Sequence, residues 1–274
     1  MDKQAFFAAL RRDLFPSGLT PQQVYRIEVL LDACAAADWP LAYSSYALAT
    51  AHHETAQWSH MKEIGGEAYF QRMYDKAGKR PKVAATLGNV EAGDGVKFAG
   101  RGYVQLTGRT NYTKAGKALG LDLLKEPGKV EEPTIAARVL IWGMSTGAYT
   151  GKACRDYLAK SPPDYVNARR IINGTDKASA IAAYAKLFQA ALVGAGYGKQ
   201  GGDQTEPGIP VSKQNQPLEP VTNMLGSDPS IPPPAPAAMP EPIRHDGTYT
   251  APASERSWIS AAASIFNRLL GKEP

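Results

Sequence analysis

Residues 41–55 read LAYSSYALATAHHET. Tyr43, Tyr46, Ala47 and Leu48 make this segment apolar on most sides, which predicts a helix over Leu41 to His52 lying in the centre of a domain. The helix runs into a polar cluster, His52-His53-Glu54-Thr55. Upstream, Thr20-Pro21-Gln22-Gln23 supplies an N-cap hydroxyl, a proline at the first helical position and a glutamine three residues after the cap. A helix is expected from there to about Ala37, with Val24, Ile27, Leu30, Leu31 and Cys34 on one face and Asp38-Trp39-Pro40 as its breaker.

Downstream the pattern changes. From Gly65 to Gly102 glycines are frequent and periodicity is poor, so irregular loops are expected, with a short hairpin near Val96 to Phe98. Helical spacing returns over Tyr112 to Leu119 and over Pro133 to Trp142, where Ile135, Val139 and Trp142 form a stripe. Two more helices are expected, near Tyr165 to Ile172 and from Ala178 to Leu192. Strand signals are few, so the fold class is mainly α, a two-lobed helical domain with a small irregular or β portion and a cleft between the lobes.

Composition divides the 274 residues. The first 200 carry 26 Lys and Arg against 18 Asp and Glu, and the last 74 carry 5 against 8. Prolines follow suit, 8 of the 21 in the first part and 13 in the second. Residues 201–254 are too proline-rich and too poor in apolar periodicity to offset the ordering of their backbone, and are expected to be a disordered linker. Residues 255–272 place Trp258, Ile259, Ala262, Ile265, Phe266, Leu269 and Leu270 at helical spacing. They are expected to form an amphipathic helix, too short and polar to span a bilayer but suited, through 256–270, to a membrane surface, a protein partner or the domain itself. The N-terminus lacks the pattern of a signal peptide and no window reaches a membrane span, so synthesis and storage in the cytoplasm, and a monomer, are expected. Two cysteines, Cys34 and Cys154, exclude a disulfide framework. The charges are scattered and no nucleic-acid-binding spacing occurs, which leaves an anionic polymer such as cell wall as the expected partner of the basic domain.

Several residues in this frame suit chemistry. Glu54 follows an apolar run, and burial there disfavours its ionised form, as a general acid requires. A zinc-binding helix needs a second histidine four residues after the first; position 57 is Gln57 and His60 lies seven beyond His53, so no metal site and no cofactor is expected. Glu63 stands nine residues beyond Glu54, and two carboxylates on opposite walls of a cleft are what glycoside hydrolysis uses. Glu67, Glu91 and Asp94 compete for the second role, and spacing does not choose among them. Gly100-Arg101-Gly102-Tyr103-Val104-Gln105-Leu106-Thr107, followed by Asn111-Tyr112, combines glycines that admit close approach with amides and hydroxyls suited to sugars. Thr107 is also suited to holding a water.

Taken together, Ala51-His52-His53-Glu54-Thr55, Glu63, the Gly100 to Thr107 segment with Asn111-Tyr112, and Ile171-Ile172-Asn173-Gly174 resemble the ordered motifs of glycoside hydrolase family 19, over about residues 1–198. The family holds plant-type chitinases and many phage endolysins, and the short Glu54 to Glu63 separation and paucity of cysteines resemble the phage-type branch. The resemblance implies a lysozyme-like α+β fold over residues 1–200 and an inverting mechanism, with carboxyl groups ~6.5–9.5 Å apart. It implies Glu54 as general acid, Glu63 as general base and Thr107 as the holder of the hydrolytic water. His53, Tyr103, Gln105, Asn111, Tyr112 and Asn173 then resemble substrate-binding positions. The activity expected is an endolysin-type cleavage of the β-1,4 bonds of peptidoglycan; the alternatives are a chitinase and a non-catalytic wall-binding protein.

Overall fold

A computed structural model describes residues 1–198; the expected linker and amphipathic C-terminal helix lie outside the described residues. The chain forms α1 (Lys3–Asp13), α2 (Pro21–Ala36), α3 (Leu41–Glu54), α4 (Glu67–Tyr74), α5 (Pro81–Leu87), α6 (Asp94–Lys97), α7 (Arg109–Leu119), α8 (Pro133–Thr146), α9 (Cys154–Tyr157) and α10 (Ala178–Gly194), with 3-10 turns at Pro127–Glu131 and Asn167–Ile171. The expected mainly helical class is what forms.

The helix of residues 41–55 is the axis of the larger core. Every residue of α3 from Ser44 to His52 is buried, and its most extensive partner is α10. That contact is possible because α3 offers Ala47, Ala49 and Ala51, while α10 presents Ile181, Ala182, Ala185, Phe188 and Leu192 at helical spacing. The buried hydroxyls find local partners, as when Ser45 Oγ donates to the Leu41 carbonyl at 2.7 Å. α1 packs on α10, and α2 on α8. The start of α2 has the expected capping box, Thr20 Oγ1 accepting from the Gln23 N–H at 3.2 Å and Gln23 Oε1 accepting from the Thr20 N–H at 2.9 Å. Cys34 and Cys154 are both buried and free, and burial pushes each thiol up to about 12.

A second, smaller core gathers Phe70, Tyr74, Leu87 and Ala99 under α4, α5 and α6. It occupies the stretch expected to be irregular. Each helix there is four to eight residues long and buries at most two apolar side chains, so no periodicity builds up in the sequence. The hairpin expected near Val96 to Phe98 is instead the helical turn α6. Asp94 at its start accepts two bonds from the Arg109 guanidinium at 2.6 and 2.8 Å, which fixes the turn against α7. Bridges form elsewhere, pairing Arg101 with Lys62 and with Leu106. The helix expected over Tyr165 to Ile172 shortens to the 3-10 turn Asn167–Ile171.

One close contact inside α8 offers a test of this packing. A Cβ at Gly143 would lie 2.0 Å from Cζ of Tyr149, whose hydroxyl donates to the Val139 carbonyl at 2.7 Å. Alanine gains about 1 kcal/mol over glycine in a helix, but forcing the ring aside costs about 1–3 kcal/mol. The substitution Gly143→Ala is expected to lower Tm by as much as about 8 °C in calorimetry; a higher Tm would contradict the packing.

Candidate active site

Glu54 is the last residue of α3, and its side chain is only 5% exposed. Its Oε1 accepts from Nη1 of Arg169 at 2.5 Å, and Arg169 is wholly buried. The guanidinium is held in turn by the Asp176 carbonyl, 3.0 Å from Nε. The carboxylate therefore belongs to a buried ion pair. Arg169 was absent from the residues singled out in the sequence. Its signal was its position: Tyr165, Ala168, Arg169 and Ile172 share one face of a helical pattern, and a cation on an apolar face calls for a buried anion.

Beyond α3 the chain reverses sharply. Ala56, Gln57 and Trp58 take φ values of 47°, 58° and 67°, three successive left-handed residues without a glycine. The surroundings hold them there. Thr55 Oγ1 accepts from the Trp58 N–H at 3.0 Å, Gln23 Nε2 donates to the Gln57 carbonyl at 2.8 Å, and Arg26 Nη1 donates to the Trp58 carbonyl at 2.6 Å. The Trp58 ring is wholly buried. This turn carries the chain from Glu54 to Glu63, which sits against Gly100.

Both main chains and side chains meet at Gly100. The Glu63 N–H donates to the Gly100 carbonyl at 2.8 Å, and the Gly100 N–H donates to Glu63 Oε2 at 3.1 Å. A Cβ on Gly100 would stand 2.9 Å from Gln105 Oε1, 3.0 Å from Glu63 Oε2 and 3.2 Å from Thr107 Oγ1. The glycine thus lets three oxygens of different residues converge on one point. Tyr74 of the smaller core donates its hydroxyl to the other oxygen, Glu63 Oε1, at 2.8 Å. Burial raises the Glu63 carboxyl above the ordinary carboxylate range, while the Tyr74 and Gly100 donors pull it back. Tyr74 itself is pushed upward by burial and by the Glu63 charge, so it remains a protonated donor.

The remaining expected residues divide. Thr107 Oγ1 donates to the Gln105 carbonyl at 2.8 Å, Gln105 holds φ 51° with its Nε2 on the Gly102 carbonyl at 3.1 Å, and Asn111 Nδ2 donates to the Thr107 carbonyl at 2.8 Å. These three form one bonded rim beside Glu63. Tyr103 and Tyr112 are different: both are wholly buried, with hydroxyls donated to the carbonyls of Arg26 at 2.8 Å and Ala99 at 2.9 Å. Neither ring is open to a sugar, and their place is in the framework rather than the binding surface. His53 is half-buried next to Glu54 and burial lowers its pKa. His52 is packed edge-on between Phe15, Tyr184 and Phe188, its pKa lowered by burial to about 3, and so serves as a neutral core ring. Asn173 is half-buried, its Oδ1 accepting from the Gly174 N–H at 2.8 Å. Of the competing carboxylates, Glu67 is exposed in the first turn of α4, and Glu91 and Asp94 are both bound to Arg109. Only Glu63 joins the Gly100 cluster.

This arrangement makes Tyr74 the group that tunes Glu63. Tyr74→Phe removes a donor to the charged carboxylate, so the Glu63 titration followed by carbon-13 NMR of its carboxyl carbon is expected to move to higher pH. A midpoint that stays in place or moves lower would overturn the role given to that hydrogen bond.

Comparison with known proteins adds the lineage. Residues 42–170 match the family model described as chitinase class I. Chitinase 11 of Oryza sativa subsp. japonica is 37% identical over 93 residues, covering 29% of this chain and 36% of the rice protein. The inactive chitinase-like protein 1 of Hevea brasiliensis is 34% identical over 93 residues, covering 29% of this chain and 30% of that protein. Among solved structures, chitinase C from Streptomyces griseus HUT6037 aligns with a TM-score of 0.49 at 22% identity, covering 70% of this chain and 75% of that one. The chain spans about a third of the length of the rice protein it matches. The stretch that matches the chitinase class I family model, residues 42–170, contains Glu54, Glu63, Thr107 and Arg169.

Proposed function

We propose that the protein is a glycosidase that cleaves β-1,4 bonds of bacterial peptidoglycan by an inverting general acid and general base mechanism, acting as an endolysin that is made in the cytoplasm and reaches the wall after release. The observation that carries this reading is the convergence at Gly100, where Glu63 Oε2 and Thr107 Oγ1 approach one point while Glu54 is held separately by Arg169. Arg169 occupies Oε1 of Glu54, which leaves Oε2 as the oxygen to hand a proton to a glycosidic leaving group. As that proton departs, the carboxylate that remains gains full attraction to the buried guanidinium, a stabilisation greater in the transition state than before it.

On the other side, Thr107 has given its own proton to the Gln105 carbonyl and is left an acceptor. A water there donates one hydrogen to Thr107 and the other to Glu63, which leaves its lone pair free for attack on the anomeric carbon. The raised basicity of Glu63 suits it to take the proton as the bond forms. Gln105, Asn111, His53 and Asn173 are the polar groups we assign to substrate contacts; Tyr103 and Tyr112 support the rim from beneath.

A second reading, cleavage of chitin, is favoured by the names of the relatives, which are chitinases and endochitinases. The inactive relative shows that likeness over this segment does not by itself secure turnover, so the test targets the acid. Glu54→Gln is expected to reduce release of reducing ends by about 100-fold or more with the helical circular dichroism retained. Activity that survives in that variant would remove Glu54 from the mechanism. Product analysis of purified peptidoglycan beside chitin oligomers separates the two substrates, and peptidoglycan is expected to be the better one.

A further inference from the structure

The 3-10 turn Asn167–Ile171 faces two ways. Arg169 points inward to Glu54 and is wholly buried, while its neighbour Arg170 is exposed and lines a cavity of about 320 Å³ together with Tyr149, Thr150, Lys152, Asn173 and Gly174. We propose that this cavity, one residue away from the partner of Glu54, binds a carboxylate of the peptide stem that peptidoglycan carries on its lactyl group. The inference rests on the peptidoglycan reading above and names what would distinguish that polymer from chitin at this site.

The walls of the cavity are fixed. Tyr149 is anchored through its hydroxyl to Val139, as described for α8. Thr150 Oγ1 donates to the Arg170 carbonyl at 2.5 Å and lies 3.2 Å from the Ile171 carbonyl, tying the loop after α8 to the 3-10 turn. Thr150 Oγ1 also accepts from the Lys152 N–H at 3.3 Å. The side chains offered to the cavity are donors. Among the described residues, neither Lys152 nor Arg170 has a carboxylate within 4.0 Å, although seven other cationic side chains are so paired. Among the described residues, the side-chain hydrogen bond of Arg170 is a long one, Nε donating to Asn167 Oδ1 at 3.4 Å. Asn173 has its Oδ1 engaged by the Gly174 N–H, which leaves its amide N–H groups as further donors.

A guanidinium, an ammonium and an amide around one space call for an anion with two acceptor oxygens. Chitin is neutral and presents none. Peptidoglycan presents carboxylates on the short peptides that its lactyl groups carry, and the volume is at the small end of ligand sites, suited to the end of a short peptide rather than to a whole sugar chain. Because both cations are exposed, their attraction is screened by salt, and recognition should weaken as ionic strength rises.

The test uses the full chain, wild type and the double variant Lys152→Gln with Arg170→Gln, on three substrates: glycan strands bearing peptide stems, the same strands stripped of stems by an amidase, and chitin oligomers. The variant is expected to show a KM about tenfold higher on stem-bearing strands, with a flatter salt dependence, and unchanged KM on the other two. Equal KM for wild type and variant on stem-bearing strands overturns the inference, as does an equal loss on all three substrates. Calorimetry with the free stem peptide separates this from the broader reading. If wild type binds the peptide and the double variant does not, the cavity stands even where no peptidoglycan is cleaved, and that result overturns only the proposed reaction. Absence of binding by wild type overturns the cavity's role whatever the enzyme cleaves.

Discussion

A guanidinium with no access to water must have an anion beside it, and Arg169 has Glu54. An unpartnered charge at that depth costs about 3–5 kcal/mol, a large part of a domain's net stability. The pairing therefore dictates where the end of α3 must sit relative to the 3-10 turn Asn167–Ile171, elements separated by 115 residues of chain. α10 follows that turn and packs along α3, so the axis of the larger core and the position of Glu54 are settled by the same contact.

The second carboxylate is fixed by different means. Its oxygens accept from a backbone N–H and from a phenol, both neutral donors, in a place where burial already raises its affinity for a proton. One carboxylate lies beside a cation and the other among neutral donors, although both are glutamates nine residues apart in the chain.

Much of this was legible in the sequence, and for identifiable reasons. The capping box at Thr20, the stripes of α8 and α10 and the all-round apolar character of α3 depend on neighbours within one or two helical turns, and they appear as read. The smaller core was not legible, because α4, α5 and α6 are each stabilised by side chains from elsewhere: Asn89 Nδ2 donates to the Tyr74 carbonyl, Asp75 accepts from the Gly93 N–H, and Asp94 is clamped by Arg109. Glu54, Glu63, Thr107, Gln105 and Asn111 could be picked out by residue type and resemblance. Tyr103 and Tyr112 could not be placed that way, since an aromatic ring beside a glycine reads equally as a sugar platform or as core; burial decides for core. Arg101 of the same segment is likewise structural, its guanidinium spread over Glu131 and the carbonyls of Lys97 and Ala99.

The division into two cores has a consequence for how the molecule moves. The smaller one gathers four buried apolar side chains, so it is the unit with less burial to oppose local opening, and the larger core can remain intact while it opens. Tyr74 belongs to the smaller cluster, whereas Glu54 and Arg169 are anchored to elements of the larger. An excursion of that minor unit would part Glu63 from its tyrosine while Glu54 and its arginine stayed in register. How long Glu63 keeps its phenol partner is then set by the exchange kinetics of a few short helices, which open before the whole molecule does.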